Sequence, residues 1–171
     1  MALSPYDVSV PVFIQMLSSL SAILGKAARH AEEHGTDPGL LLQERLYPDM
    51  FPLVRQVQVA TDHAKGAAAR LAGVDVPRFP DDETSIEALQ ARIARTIDFL
   101  RRLAPDQFAG GDEREVKAPV GGRPVRFRGG PYLLHFALPN FYFHVTTAYA
   151  ILRHRGVAIG KPDFIGSLIV R

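Results

Sequence analysis

Three polar residues stand where chemistry could be done. Asn140 and His144 lie four residues apart on the last helical stretch and so share one helix face. Leu133, Ala137, Ala148 and Ile151 fall on that face, which puts His144 near the middle of the stripe expected to point inward. A buried imidazole or amide needs hydrogen-bond partners, or it costs roughly 1–3 kcal/mol. His144 is then a core histidine satisfied by a neighbour, or serves a metal or ligand, or is exposed if the wheel is misread, and the small Ala137 and Ala148 leave room beside it. His63, in the second helical stretch, is the possible partner. It lies on the border of an apolar stripe, beside Gln56, Ala60 and Ala67, and a half-exposed surface histidine is its plain alternative. Asp62 points nearly opposite that stripe and reads as a solvated carboxylate.

Other constellations are weaker. His30-Ala31-Glu32-Glu33-His34 spells an inverted zinc-peptidase motif. It sits in the last turn of a helix, where histidines favour the C-terminal dipole and are usually solvated, and no second motif supplies a further glutamate. Arg123, Arg126 and Arg128 could meet phosphates, but Asp112, Glu113 and Glu115 lie close and no stacking aromatics accompany them. Neither glycine pair, at Gly121 or at Gly129, is followed by the Lys-Ser/Thr of a phosphate loop. No serine sits in a nucleophile elbow.

The elements that must position these residues are mostly helices. The first is expected over residues 11–34, with Pro11 in its first turn and Gly35 as its stop. A short helix capped by Asp37 should follow. The second is expected over 50–72, capped by Asp49 and ended by Gly73, with a stripe rich in alanine. Pro77 and Pro80 mark a loop. Thr84 and Glu87 then read as a capping box before Ile86, Leu89, Ile93, Ile97, Leu100 and Leu103. Gly121-Gly122 should turn a hairpin between residues 115–120 and 123–127, confined to an edge by Pro119 and Pro124. The last helix is expected over 131–155, kinked or divided at Pro139. A mostly extended tail, 157–171, should dock on the body. The back of the last helix carries Leu138, Tyr142 and Tyr149, flanked by Phe136 and Phe143. The hairpin, the tail or a second subunit must cover it.

Together these predict one all-α domain over 171 residues: a four-helix bundle with a crossover connection and a small β-hairpin between helices three and four. The absence of cysteine removes disulfides, thiolate nucleophiles and Cys-based metal sites, and suits a reducing, cytoplasmic setting. No secretory leader is expected, because no basic residue precedes an apolar run. Residues 8–24 are too interrupted by serines, Pro11 and Gln15 to read as a membrane span. A net charge of +2 gives no reason to expect nucleic acid.

Two stretches carry a resemblance. Asn140-Phe141-Tyr142-Phe143-His144, with Ile151-Leu152-Arg153-His154-Arg155-Gly156 behind it, resembles the last helix of DinB/YfiT-like proteins. That superfamily comprises four-helix bundles, often dimers, that hold a divalent metal with one histidine from the second helix and two from the last. The resemblance implies a ligand set of His63, Asn140 and His144 around nickel or zinc, with Asn140 standing where the first histidine of the pair would be. Asn offers only a neutral carbonyl oxygen, so the implied triad is weakened. Leu46-Tyr47-Pro48-Asp49-Met50 and Asp62-His63-Ala64-Lys65 resemble, more closely, domain-of-unknown-function family 1993, related to that superfamily. The implied activities are a metal-dependent enzyme of thiol-transferase or isomerase type with a degenerate site, or a metal-free small-ligand-binding or stress-related bundle protein. A homodimer is the implied assembly.

Overall fold

A computed structural model describes residues 4–167 of the chain. Its first helix, α1, spans Val10–Glu33. Phe13, Met16, Leu17, Leu20, Ile23, Leu24, Ala27 and Ala31 recur at helical spacing and are all buried. α1 is long and apolar enough to cross a membrane by length and composition, more so than its serines suggest. Half of that stretch is nevertheless covered by the rest of the protein. A 3-10 turn, Pro38–Gln43, follows, and Asp37 caps it by accepting the Gly39 N–H at 2.8 Å.

The second helix, α2, spans Leu53–Ala72 rather than starting at Met50 under an Asp49 cap. The residue before a proline is pushed out of helical geometry, so Phe51 stays extended and the helix begins after Pro52. The backbone carbonyl of Glu44 accepts the Leu53 N–H at 2.9 Å. Gly73 ends α2 in the left-handed conformation, φ 72°. The third helix, α3, spans Ile86–Arg101. Its cap is Ser85, whose hydroxyl accepts the Ala88 N–H at 3.1 Å, not Thr84. The expected capping box is therefore not formed: counted from Ser85 the third helical residue is Ala88, and Glu87 lies on an exposed position.

Strands β1 (Glu115–Val120) and β2 (Arg123–Arg128) pair antiparallel with Val120 opposite Arg123. Gly121 and Gly122 take φ of 56° and 78°, the positive pair that a two-residue turn demands. Arg126 and Arg128 pair with Glu115 and Glu113 across exposed surface.

The last helical stretch is divided, as Pro139 requires. A single turn, α4 (Gly129–Tyr132), leads into a π-helical turn over Leu133–Ala137 and then into α5, Leu138–His154. The Leu138 N–H reaches back five residues to the Leu133 carbonyl. Proline at 139 cannot donate and crowds the carbonyl one turn back, and the widened turn directly before it absorbs that conflict. The tail is not extended throughout: α6, Lys161–Ile165, lies on α1 through Lys26 with Asp163 at 2.6 Å and Gln15 with the Ile165 carbonyl at 3.0 Å. The last four positions of the expected tail, 168–171, lie outside the described residues.

The described residues are thus mostly helical, with one two-stranded hairpin among them. α1 packs on α3 and α5, and α2 packs on α3 and α5, around a continuous apolar core. Ala60, Ala64, Ala67 and Ala68 are buried on α2 and let its neighbours approach closely. Both the hairpin and the tail cover the back of α5 and the turn before it. Phe127 stacks on Phe136 at 5.6 Å, and Phe164 meets Tyr149 edge-on at 5.7 Å. Tyr142 and Phe143 remain exposed.

Candidate functional site

Gln56, His63 and Arg70 recur every seven residues along α2, two helical turns apart, and so form a polar line down one face. That line is the spine of the site. His144 on α5 comes against it. The His63 and His144 rings lie nearly parallel, 15° apart in plane, with centres 5.9 Å apart. His144 also stacks on Phe51, at 6.4 Å and 19°. Phe143 meets His144 edge-on at 5.2 Å, and Phe136 does the same to His63 at 5.8 Å.

The proton on His144 can be placed. Gln56 donates its side-chain NH2 to the Phe51 carbonyl at 3.0 Å, which turns its oxygen toward His144. That oxygen lies 2.7 Å from His144 Nδ1, so Nδ1 must carry the hydrogen and donate it. Nε2 of His144 is then the nitrogen with a free lone pair. No hydrogen bond from the described residues reaches either ring nitrogen of His63.

Both imidazoles are held neutral. Burial, then the adjacent His144 and, more weakly, Arg70, lower the pKa of His63 from 6.5 to about 4; Asp62 pulls the other way. Burial and then Arg55 lower His144 from 6.5 to about 4 as well. At neutral pH both rings are therefore essentially unprotonated. Such a base is far from the operating pH at which general acid–base catalysis is efficient. These rings are better suited to hydrogen bonding or to donating a lone pair.

Asn140 is placed differently from its expected role. Phe141 takes the fully buried position of that turn, edge-on to Phe13 at 4.8 Å. Asn140 is half-buried, and its NH2 donates to the Phe136 carbonyl at 2.7 Å. Only its side-chain oxygen remains to be offered to anything else. Among the described residues no three His, Cys, Asp or Glu side chains converge as a metal set. A catalytic zinc site ordinarily uses three protein ligands, and here the donor set supplies two nitrogens.

His63 opens onto a cavity of about 280 Å³. Arg55, Lys65, Arg70 and Asp62 give it charge, and Val76, Ala118, Pro119 and Phe136 give it apolar wall. Tyr132 of α4 reaches it too, with its hydroxyl 3.2 Å from the Arg70 guanidinium. Burial raises the Tyr132 pKa against the opposing influence of Arg70, so the hydroxyl keeps its proton.

Asp62 is not the freely solvated carboxylate expected. It binds Lys65 at 2.6 Å and the buried Arg92 at 2.9 Å. His30 and His34 stay together at the exposed end of α1, rings 4.2 Å apart, with His34 Nδ1 on the His30 carbonyl. Gln56, Phe51, Arg70 and Tyr132 were not singled out from the sequence. The seven-residue spacing through His63 was the signal that could have found Gln56 and Arg70; nothing local pointed to the other two.

No functionally curated protein matches the chain. A crystal structure of a DinB family member from Shewanella denitrificans is similar to it throughout, with a TM-score of 0.89, 40% identity, and coverage of 97% of this chain and 94% of that one. The family model described as "Domain of unknown function (DUF1993)" matches residues 5–165. With nearly its whole length matched by that model, this chain belongs to the DUF1993 family.

Proposed function

We propose that the protein is a small-ligand-binding bundle of DinB-like type, four long helices with a crossover connection, whose ligand enters the cavity at His63. One observation carries the reading. His63 presents two ring nitrogens without hydrogen-bond partners among the described residues to a cavity whose other polar side chains each hold at least one partner and whose wall is otherwise apolar. The nitrogens are half-buried and reach the cavity rather than the core, and spare hydrogen-bonding capacity in a concave surface is where a ligand gains most. His144 acts behind it, locked in one tautomer by Gln56.

A metal-dependent enzyme of thiol-transferase or isomerase type is the competing reading, and one feature favours it. A metal-ligating histidine usually donates its other N–H to an oxygen, as His144 does to Gln56. His63 and His144 would hold nickel or zinc, with Asn140 or water completing the shell, and the ion would polarise a carbonyl or activate a thiol.

The two readings separate in one experiment on untagged protein. Metal content is measured as purified and after nickel or zinc is supplied, and thermal shift is then screened with small polar compounds. Binding predicts hits that raise Tm in the wild type and lose their effect in His63→Ala, with no stoichiometric metal. Stoichiometric metal that disappears in His144→Ala would overturn it in favour of the enzyme.

A further inference from the structure

The cavity at His63 has a charge balance that suits an anion. Its lining carries three cations, Arg55, Lys65 and Arg70, and one carboxylate, Asp62. Two of the cations are already answered: Arg55 pairs with Asp81, and Lys65 with Asp62. Asp62 is in turn shared with Arg92, so its charge is offset. Arg70 forms no ion pair with any described carboxylate.

Arg70 is nevertheless held firmly. Its Nε–H donates to the Lys117 carbonyl of β1 at 2.8 Å, and one terminal N–H donates to the Tyr132 hydroxyl at 3.2 Å. Gly66, one turn earlier on α2, makes space for it: a Cβ at that position would sit 2.5 Å from the terminal nitrogen. A guanidinium has five N–H groups, and these two bonds use two. The remaining three form part of a planar fork already oriented by its other bonds, so little side-chain entropy is left to lose. The Tyr132 hydroxyl accepts from Arg70 and so keeps its own proton to give.

We propose that this pocket is a receptor for small oxyanions, a carboxylate or a phosphate group, with Arg70 as its anchor and Tyr132 and His63 as further hydrogen-bond donors. The proposal rests on the cavity at His63 being a ligand site. Arg70 supplies a charge-assisted, two-pronged contact to the oxyanion, stronger than a contact between neutral groups. Val76, Ala118, Pro119 and Phe136 accept a compact apolar body behind it. The small volume favours a molecule below drug size.

The test follows the ring resonances of His63 by NMR in the full chain, assigned with His63→Gln. Benzoate, inorganic phosphate and the uncharged isostere benzamide are titrated in turn. Benzoate should shift the His63 signal saturably and bind at least about tenfold more tightly than benzamide. Arg70→Gln should erase that preference. Arg70→Lys, which keeps the charge without the fork, should retain part of it. Gly66→Ala should weaken benzoate binding with Arg70 still present, by displacing its guanidinium. A stronger response to phosphate than to benzoate would place phosphate esters first; the reverse order would place carboxylates first. Equal affinity for benzoate and benzamide, or benzoate binding unchanged in Arg70→Gln and Arg70→Lys, would overturn the oxyanion assignment and leave the pocket standing. No response of His63 to any of the three would overturn both.

Discussion

Helix α2 carries two polar clusters that adjoin at Asp62 and Lys65, and they are built on opposite principles. Toward α3, Gln58, Thr61, Asp62 and Lys65 gather around Arg92, which is fully buried. Arg92 gives Nε–H to Thr61 at 2.7 Å, contacts the Pro80 carbonyl at 2.8 Å and Glu83 at 3.1 Å, and reaches Asp62 and Asp81 at 2.9 and 3.0 Å. Four of these are hydrogen bonds and the Asp81 contact is an ion pair, so the five N–H groups are nearly all answered. Gln58 holds the second oxygen of Glu83 at 2.8 Å. Toward α5, Gln56, His63 and Arg70 form a line in which only Gln56 has both ends of its amide engaged. Saturation marks the first cluster as a fastener between α2, α3 and the loop ahead of α3. Spare capacity beside a cavity is what the proposed ligand site rests on in the second. Burial of polar residues does not by itself distinguish the two clusters; the hydrogen-bonding capacity left over does.

The comparison can be broken, most sharply, at Arg92. Arg92→Met should destabilise the protein by about 3–5 kcal/mol, because it strands a buried Glu83 beside lost partners. Urea denaturation would measure it. A loss near zero would mean that the network is not a fastener. Gln56→Leu should cost less, about 1–3 kcal/mol, by leaving the His144 Nδ1–H unpaired. Its sharper readout is nitrogen NMR, which should show the His144 tautomer no longer uniform.

A third way uses pH. Both site histidines have folded pKa values of about 4 against 6.5 unfolded, so the unfolded chain binds more protons between those limits. Their contribution to stability is complete above pH 6.5 and is lost as pH falls toward 4. The slope should be at most about 1.4 kcal/mol per pH unit for each ring. His63→Asn should flatten it, and denaturation at several pH values in the wild type and the variant checks this. The smallest effect belongs to Arg55→Ala. Its pair with Asp81 is more than a third exposed on both sides, so the loss should stay within about 1 kcal/mol. A larger loss in the same denaturation assay would tie Arg55 into the fastener as a full member.

The helices were legible because apolar residues recur at 3.6-residue spacing, and Gly73, Gly121 and Gly122 stand where positive φ is needed. The errors were local competitions. Ser85 and Thr84 are both good caps, and only the chain's path decides which hydroxyl faces the first turn. Phe51, placed before Pro52, delayed α2 beyond the aspartate that would have capped it. On α5 the π turn before Pro139 and the packing of Phe141 on Phe13 gave the inward place to phenylalanine, while a straight wheel put Asn140 there.

Sequence alone determined that α2 and the last helix each present a histidine near an apolar stripe, because side-chain direction along a helix follows from spacing. It also carried the family, through residues spread over nearly the whole chain. Only the tertiary structure decided that the two rings lie face to face, that Gln56 chooses the proton of His144, and that Arg70 stands beside Tyr132 without a carboxylate. Those facts depend on distances between residues 62 to 88 positions apart in the chain, as Arg70 is from Tyr132 and Gln56 from His144. Helical periodicity constrains the faces of each element. It does not say which faces meet, and that is settled by packing the whole core at once.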